Sequence, residues 1–168
     1  MSLLFETLSA AYRVRRLTEA DLSDLLELAE GNPTYYQYMH EEPTLEGLRA
    51  DLTKLPPRTT MEDKYFLGYF RDGRLRAALD LILHFPNQET AFVGWFILRR
   101  DLQGRGVGTA IISDLLSLLK DQGFRFVRLG RVKGNPESEA FWAKNRFTPT
   151  GVETDGGGYT IVIMQREL

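Results

Sequence analysis

Hydrophobic residues recur along the chain with two different periods, and the changes of period predict an ordered series of helices and strands. Apolar positions spaced by three and four residues fall in segments 22–29, 44–55 and 107–118, which is typical of helices that bury one face. Alternating positions or short continuous apolar runs predict strands. These strands cover residues 12–17, 64–70, 75–85, 90–98, 124–129, 148–154 and 159–165.

Residues with unusual backbone preferences mark where the predicted helices begin and end. Gly31 and Gly123 follow the first and third helices, as glycine commonly does at helix C-termini. A fourth helix is predicted after Asn135, because Asn is a favourable N-cap and Pro136 fits the first helical position. The aromatic segment 32–39 is interpreted as a loop. The resulting order predicts an α/β protein with a mixed sheet covered by about four helices.

Composition narrows the classes of function. The 168 residues, 43% hydrophobic and 26% charged, predict one globular domain over 1–168. With 21 Lys and Arg against 23 Asp and Glu, nothing favours nucleic acid or a membrane as partner. The absence of Cys excludes disulfides, thiolate metal sites and a cysteine nucleophile, and no metal is expected. Residues 1–11 lack leader features and no apolar run is long enough to span a bilayer, so we expect a cytoplasmic protein.

The segment 103–109, Gln-Gly-Arg-Gly-Val-Gly-Thr, stands between a predicted strand and the most regular predicted helix. Free N–H groups and the helix dipole make this position an anion site, and glycine lets a phosphate approach the backbone. No Lys follows the glycines as in a P-loop, and Gly104, Gly106 and Gly108 lack the spacing of a Rossmann motif. A plain turn into a helix is the other interpretation of the loop alone.

Gln103, Gly106 and Gly108 fit a third phosphate-binding motif, Gln/Arg-x-x-Gly-x-Gly/Ala. On and after the predicted fourth helix stand the residues of a second motif, namely Asn135, Ser138, Phe141, Trp142, Lys144 and Phe147. Together with the order of elements, these motifs resemble the GNAT superfamily, the Gcn5-related N-acetyltransferases, over nearly the whole chain.

The resemblance implies a mostly antiparallel sheet of about seven strands whose fourth and fifth strands splay apart, leaving a slot for acetyl-CoA. The pantetheine arm would bond the backbone of Phe96, Ile97 and Leu98. The pyrophosphate would bind the loop, and the opposite wall would contact the arm; the residues concerned are Gln103, Gly104, Arg105, Gly106, Val107, Gly108 and Thr109 in the loop, and Asn135, Ser138, Phe141 and Trp142 in the wall. Asn135 serving only as a helix cap is the alternative for that residue.

The catalytic base is the first departure from the family pattern. Many members have a Glu on the fourth strand where this chain has Gly94. Asp80 and Glu89 are the candidate bases, with His84 behind them. A carboxylate within an apolar strand is costly unless it is paired, which makes Asp80 the more informative candidate. The alternatives are a solvated position for Asp80 and a turn role for Glu89.

The fourth helix carries two further departures. Trp142 replaces a Tyr that protonates the leaving thiolate in many members, and indole cannot donate that proton at neutral pH. Arg146 replaces the usual Gly before Phe147, so Asn145 is expected to take the left-handed position at the helix end. Because the chain has no Cys, direct attack on acetyl-CoA in a ternary complex is the expected mechanism.

An aromatic and acidic segment between the first two helices is the candidate acceptor site. Tyr35, Tyr36 and Glu41 are the predicted substrate-binding residues, with Tyr38 and Glu42 beside them, and this mixture suits a cationic amine. The alternative is that the tyrosines simply cover the sheet. Whether the acceptor is a small amine, an amino acid, an aminoglycoside or a protein N-terminus stays open, as does the choice between monomer and homodimer.

The expected function is therefore transfer of an acetyl group from acetyl-CoA to an amine. Because Gly94 and Trp142 remove the usual base and acid, a CoA-binding sensor or interaction domain without catalysis is the first alternative. A nucleotide-binding α/β domain is the second, and the missing P-loop Lys disfavours it.

Overall fold

The computed structural model describes residues 3–168, and a seven-stranded sheet forms its centre. Met1 and Ser2, part of the segment predicted to lack leader features, lie outside the described residues. The strands are β1 (Arg13–Arg16), β2 (Lys64–Arg71), β3 (Arg74–Leu83), β4 (Thr90–Leu98), β5 (Phe126–Val132), β6 (Thr148–Asp155) and β7 (Thr160–Glu167). Their spatial order is β1-β2-β3-β4-β5-β7-β6, and only the β4–β5 pair is parallel. The predicted mixed, mostly antiparallel sheet is confirmed.

Five α-helices cover the sheet, one more than the sequence predicts. They are α1 (Leu22–Glu30), α2 (Pro33–Gln37), α3 (Leu45–Asp51), α4 (Val107–Asp121) and α5 (Pro136–Lys144). The additional helix, α2, forms in the expected loop, where Pro33 occupies a first-turn position that needs no N–H. Within the described residues, no helix combines the length and apolar character needed to cross a membrane.

Two helix ends differ from their predicted positions. α3 stops at Asp51 instead of residue 55, because the following proline disfavours the helical conformation at residue 55 and the last turn tightens, with Thr53 N–H donating to the Ala50 carbonyl. After α5, Arg146 takes the left-handed conformation at φ +66°, whereas Asn145 keeps φ −86°. The expectation for Asn145 is wrong because that residue is buried as the last helical cap, so the reversal falls on the next, exposed position.

Apolar layers cover both faces of the sheet. α4 and α5 pack on one face and α1 and α3 on the other. Side chains alternate along β3, so Leu79 and Leu81 face α4 while Ala78 and Asp80 face α1 and α3. Asp80 therefore lies on the face where the acceptor segment is found.

β4 and β5 pair along only part of their length. The parallel register joins residues 90–93 to 126–129. β4 nevertheless continues to Leu98 and β5 to Val132. The two strands diverge beyond the paired segment, which confirms the predicted splay between the fourth and fifth strands.

A bulge in β4 lies where the divergence begins. Asp80 is opposite Trp95, but its neighbour Leu81 is opposite Val93, so Gly94 is left without a partner on β3. The bulge directs the backbone of β4 away from the regular ladder one residue after its last pair with β5. This geometry puts Asp80 beside Gly94, the residue at which β4 and β5 begin to diverge.

Candidate functional site

The slot between the diverging strands is a cavity of about 420 Å³. Its walls come from β4, the loop before α4, β5 and α5. Most of the predicted donor-binding residues line it, namely Phe96, Ile97, Leu98, Gln103, Gly104, Gly106, Gly108, Thr109, Asn135, Ser138, Phe141 and Trp142. Arg105 is exposed outside the lining, and Val107 packs against the core.

Glycines shape the loop at the start of α4 for two different reasons. Gly104 and Gly106 have φ of +73° and +79°, and a Cβ at either would meet no atom within 4 Å, so backbone conformation rather than space requires them. Gly108 has an ordinary backbone, but a Cβ there would lie 3.0 Å from the Phe141 ring. The loop therefore presents free N–H groups at the helix start, and the third glycine lets α4 approach α5.

The Gln103 side chain ties the loop to the protein. Its amide nitrogen donates to Asn32 Oδ1 at 2.6 Å and to the Leu98 carbonyl at 2.9 Å. Buried Asn32 in turn donates to the carbonyls of Leu28 and Leu98, at 3.0 and 3.1 Å. Both lone pairs of the Leu98 carbonyl are thus committed within the protein, and Gln103 orients the loop.

Asn135 is the N-cap of α5 and lies in the slot wall as well. Its Oδ1 accepts from the N–H groups of Glu137 and Ser138 at 3.1 and 3.3 Å. The residue is 3% exposed and lines the cavity. The cap interpretation of Asn135 is therefore correct, and its amide nitrogen is the atom left to contact a ligand.

Aromatic rings form the apolar wall of the slot. Phe96 stacks on Phe141 with 5.9 Å between ring centroids, and Phe141 meets Trp142 edge-on at 4.9 Å. Trp142 also packs against buried Phe147 at 5.3 Å. Trp142 is thus a core residue and a wall residue, with no acidic proton to offer a leaving group.

Asp80 occupies the space beside the bulge. A Cβ built on Gly94 would lie 2.9 Å from Asp80 Oδ2. Any side chain at position 94 would therefore push the carboxylate away. The side chain of Asp80, from β3, therefore lies against the β4 position at which this chain has no carboxylate.

Asp80 is paired with Lys64, which the sequence interpretation missed. Lys64 Nζ donates to Oδ1 and Oδ2 of Asp80 at 3.0 and 3.1 Å. Burial raises the pKa of Asp80 to about 6, and Lys64 opposes that rise. The sequence signal for this pair was a Lys at the start of an apolar strand, two residues before Phe66 and therefore on the same face of that strand.

The other candidate bases lie away from the slot. Glu89 precedes β4, and its carbonyl accepts from Arg125 and Phe126 at the paired end of the strands. Five residues of extended chain put it about 16 Å from Gly94. His84 Nδ1 lies 3.0 Å from Asp63 Oδ1. Asp80, by contrast, lies against Gly94, which lines the slot.

Tyrosines and carboxylates cluster on the acceptor side. Tyr35 and Tyr36 contact edge-to-face on α2, with centroids 5.0 Å apart. Burial raises the pKa of both phenols, and the nearby charges of Asp51 and Glu41 raise it further. Tyr159, from the β6–β7 turn, belongs to the same cluster. Burial raises the pKa of its phenol, and the nearby charge of Glu41 raises it further. The grouping suits a positively charged ligand.

Of the three residues predicted to bind the acceptor, one lines the cavity. Tyr35 lines the slot, whereas Tyr36 packs on the core beside α1 and Glu41 is exposed. Tyr38 lines a separate depression with Tyr159. Sequence reasoning missed Asp51 and Tyr159, because both come close to α2 only through tertiary packing.

Arg131 brings positive charge to the β5 wall of the slot. Its side chain is 9% exposed, and Nη2 lies 3.9 Å from Glu139 Oε1, beyond hydrogen-bond reach. Nε and Nη1 are buried without a hydrogen-bond partner among residues 3–168. This cation, too, was not singled out from the sequence.

Solved structures share this splayed sheet and identify its fold class. An acetyltransferase from Thermus thermophilus is 25% identical, with 100% of both chains covered and a TM-score of 0.75. The PaiA N-acetyltransferase from Thermoplasma acidophilum, solved in complex with coenzyme A, is 22% identical over 94% of this chain and 99% of that one, with a TM-score of 0.68. An acetyltransferase from Salmonella typhimurium that modifies the N-terminal serine of ribosomal protein L7/L12 is 17% identical over 96% and 97%, with a TM-score of 0.72. The fold is that of the GNAT acetyltransferases.

The family follows from the sequence match. The model of the acetyltransferase (GNAT) family matches residues 21–147, so the chain belongs to that family. Comparison with curated proteins finds no match.

Proposed function

We propose that the chain is an N-acetyltransferase of one domain, residues 1–168, that moves an acetyl group from acetyl-CoA to a cationic amine by direct attack. The observation that carries the proposal is the position of Asp80, a buried carboxylate aimed at the β4 bulge where the slot opens. The slot holds the donor on one side of this point, and the tyrosine cluster holds the acceptor on the other. The absence of Cys agrees with a reducing, cytoplasmic location.

Donor binding is assigned to the slot walls. The free N–H groups at the start of α4 suit a pyrophosphate, and Arg131 adds positive charge nearby. Phe141 and Trp142 offer apolar surface to the pantetheine arm. The Thermoplasma acidophilum structure with coenzyme A supports this class of ligand. The group that acetyl-CoA brings to the slot is an activated thioester carbonyl.

Asp80 acts as the general base in this proposal. An ammonium group must lose a proton before its nitrogen can attack, and a base with a pKa near neutrality does this efficiently. With a pKa of about 6, Asp80 is mostly ionised at pH 7. Its Oδ2 faces the bulge, so it takes the proton directly or through one water.

The leaving thiolate receives its proton from solvent in this proposal. Trp142 stands where a Tyr acid is common, and indole holds its N–H proton at neutral pH. A thiol has a pKa of about 8.5, so its anion is a tolerable leaving group that water can protonate. No acyl-enzyme is invoked, because the chain has no cysteine to carry one.

A thiol-release assay tests the proposal. The purified chain is incubated with acetyl-CoA and a panel of amines comprising diamines, amino acids, aminoglycosides and short peptides with free N-termini. We expect amine-dependent release of CoA thiol and a product heavier by one acetyl group. The same acceptors with blocked amines serve as the control and should release none.

A CoA-binding module without catalysis is the second candidate, favoured by Gly94 and Trp142 in place of the usual base and acid. Calorimetry separates it from the first. Binding of CoA without turnover of any amine would support the module, and binding of ADP as tight as that of CoA would indicate a nucleotide site instead.

A further inference from the structure

Lys64 is a buried cation that the proposed reaction does not use directly. Its side chain is 1% exposed, on the edge of the sheet face that carries Asp80. A lysine is almost never fully buried unless its charge is paired, because removing an ammonium from water is costly. The residues around Lys64 therefore indicate the role of its charge.

Three oxygens surround the ammonium group. Lys64 Nζ donates to both oxygens of Asp80, at 3.0 and 3.1 Å, and to the carbonyl of Lys54 at 2.9 Å. An ammonium has three N–H donors, so each is used once. Two bonds clamp the carboxylate in one plane, and the third anchors the clamp to the chain that follows α3.

The clamp sets how Asp80 meets the bulge. Oδ2 lies 2.9 Å from the position that a Cβ on Gly94 would occupy. Without Lys64, the carboxylate would be a buried anion with no cation in contact, and it would either rotate or take up a proton. Lys54 and Asp51 are the other charged groups facing Asp80, and they oppose each other.

We infer that Lys64 is the positioning residue of the catalytic base: it holds the Asp80 carboxylate against the Gly94 bulge, in the orientation that receives the acceptor's proton. The inference rests on the proposed function of Asp80 as base. Lys64 itself touches neither the donor slot nor the reacting nitrogen, so its effect reaches the reaction only through Asp80.

The test combines a pH profile with a titration that needs no activity. Lys64→Met keeps most of the apolar stem and removes the ammonium group. Lys54→Met is the matched control, because the Lys54 ammonium faces Asp80 without a hydrogen bond to it and only its carbonyl belongs to the clamp. In Lys64→Met we expect the acid limb of kcat/KM to move up by at least one pH unit, with kcat at pH 6.5 reduced at least tenfold and the KM for acetyl-CoA unchanged. Lys54→Met should move the limb in the same direction by clearly less than Lys64→Met does.

A 13C NMR titration of the Asp80 carboxyl group gives the second readout. Its midpoint should lie near 6 in the wild type and rise by at least one pH unit in Lys64→Met. Absence of that rise in a folded variant would overturn the inference, whatever the activity. Absence of transfer in the wild type would instead overturn the proposed function and leave the titration result standing.

A double-mutant cycle tests whether Lys64 acts only through Asp80. If Lys64 acts through Asp80, adding Lys64→Met to Asp80→Asn should change the remaining kcat by less than about twofold, because the partner is already gone. A large further loss would contradict the inference.

Should Lys64→Met alone not fold, Lys64→Arg replaces it. Arginine keeps the positive charge, so the titration midpoint of Asp80 should stay within about half a pH unit of the wild-type value while kcat falls. A titration midpoint of Asp80 that neither rises in Lys64→Met nor stays in place in Lys64→Arg would contradict the inference.

Discussion

At the scale of single residues, Asp80 makes the most direct prediction. Asp80→Asn should keep acetyl-CoA binding and lower kcat/KM by about a hundredfold at pH 7, the usual size of a general-base contribution. In the wild type, kcat/KM should rise with pH through about 6, because only the ionised carboxylate accepts a proton. The loss in the variant should shrink at high pH, where more of the acceptor is already neutral. Initial rates over pH 5.5 to 9.5 measure the three kinetic effects, and calorimetry measures the binding of acetyl-CoA.

Glu89→Gln is the matched control for this measurement. Glu89 is also a carboxylate close to β4, but it is exposed and lies at the paired end of the strands. It should retain wild-type rates at every pH. If both variants keep full activity, neither carboxylate is the base, and the enzyme accepts an amine that has lost its proton to solvent.

Asn135 makes a prediction that separates stability from binding. Asn135→Ala removes the cap of α5 and should cost about 1 kcal/mol of folding free energy, seen as a lower Tm. We also expect weaker acetyl-CoA binding at a temperature where the variant is fully folded, since Asn135 lies in the slot wall. Asn135→Asp keeps the oxygen that caps α5 but loses the amide nitrogen, so it should weaken binding without the fall in Tm. Unchanged affinity in folded Asn135→Ala would reduce the residue to a helix cap.

At the scale of elements, the loop before α4 depends on a left-handed glycine. Gly106→Val imposes a β-branched side chain at φ +79° and should disturb the N–H groups that face the slot. CoA affinity should fall at least tenfold, or about 1.4 kcal/mol. Calorimetry on the folded variant measures the change.

The other end of the same helix supplies the control. Gly123 has φ +93° and open space around it, so Gly123→Val carries comparable backbone strain far from the slot. It should lower Tm and leave CoA affinity unchanged. Equal loss of affinity in both variants would mean that strain in α4, rather than the loop, controls binding.

The helices show which features local sequence signals predict and which they do not. The cap at Asn135 and the glycine after α4 were predicted correctly, because capping depends on neighbouring residues alone. The buried face of α4 is wider than a single stripe at the helical period: Ile111 and Leu115 are buried, and so are Ile112, Leu116 and Leu119, while Val107 and Leu118 are only partly covered. The direction of that face is decided by the sheet on which α4 lies, and periodicity alone does not define it.

At the scale of the whole molecule, the sequence predicted the fold class and most of the residues that line the slot. The mixed, mostly antiparallel sheet and its splay followed from the resemblance, and the loop and α5 residues that line the slot lie in continuous motifs. The acceptor side was predicted less completely. Asp80 pairs with Lys64, and the charge of Asp51 comes near the tyrosines of α2, through packing between distant segments. No local pattern encodes such partners, so only the tertiary structure could identify them.

The short seam between β4 and β5 has a consequence for local opening. Among residues 3–168, strand pairing joins the two parts of the sheet only through residues 90–93 and 126–129. Beyond them β4 and β5 have no strand partner on the slot side, so these ends should exchange their amide hydrogens faster than the central strands do. A ligand lying in the slot would contact both ends at once. Adding acetyl-CoA should therefore slow hydrogen exchange at residues 94–98 and 130–132 more than in β2, as mass spectrometry of the exchanged peptides can measure.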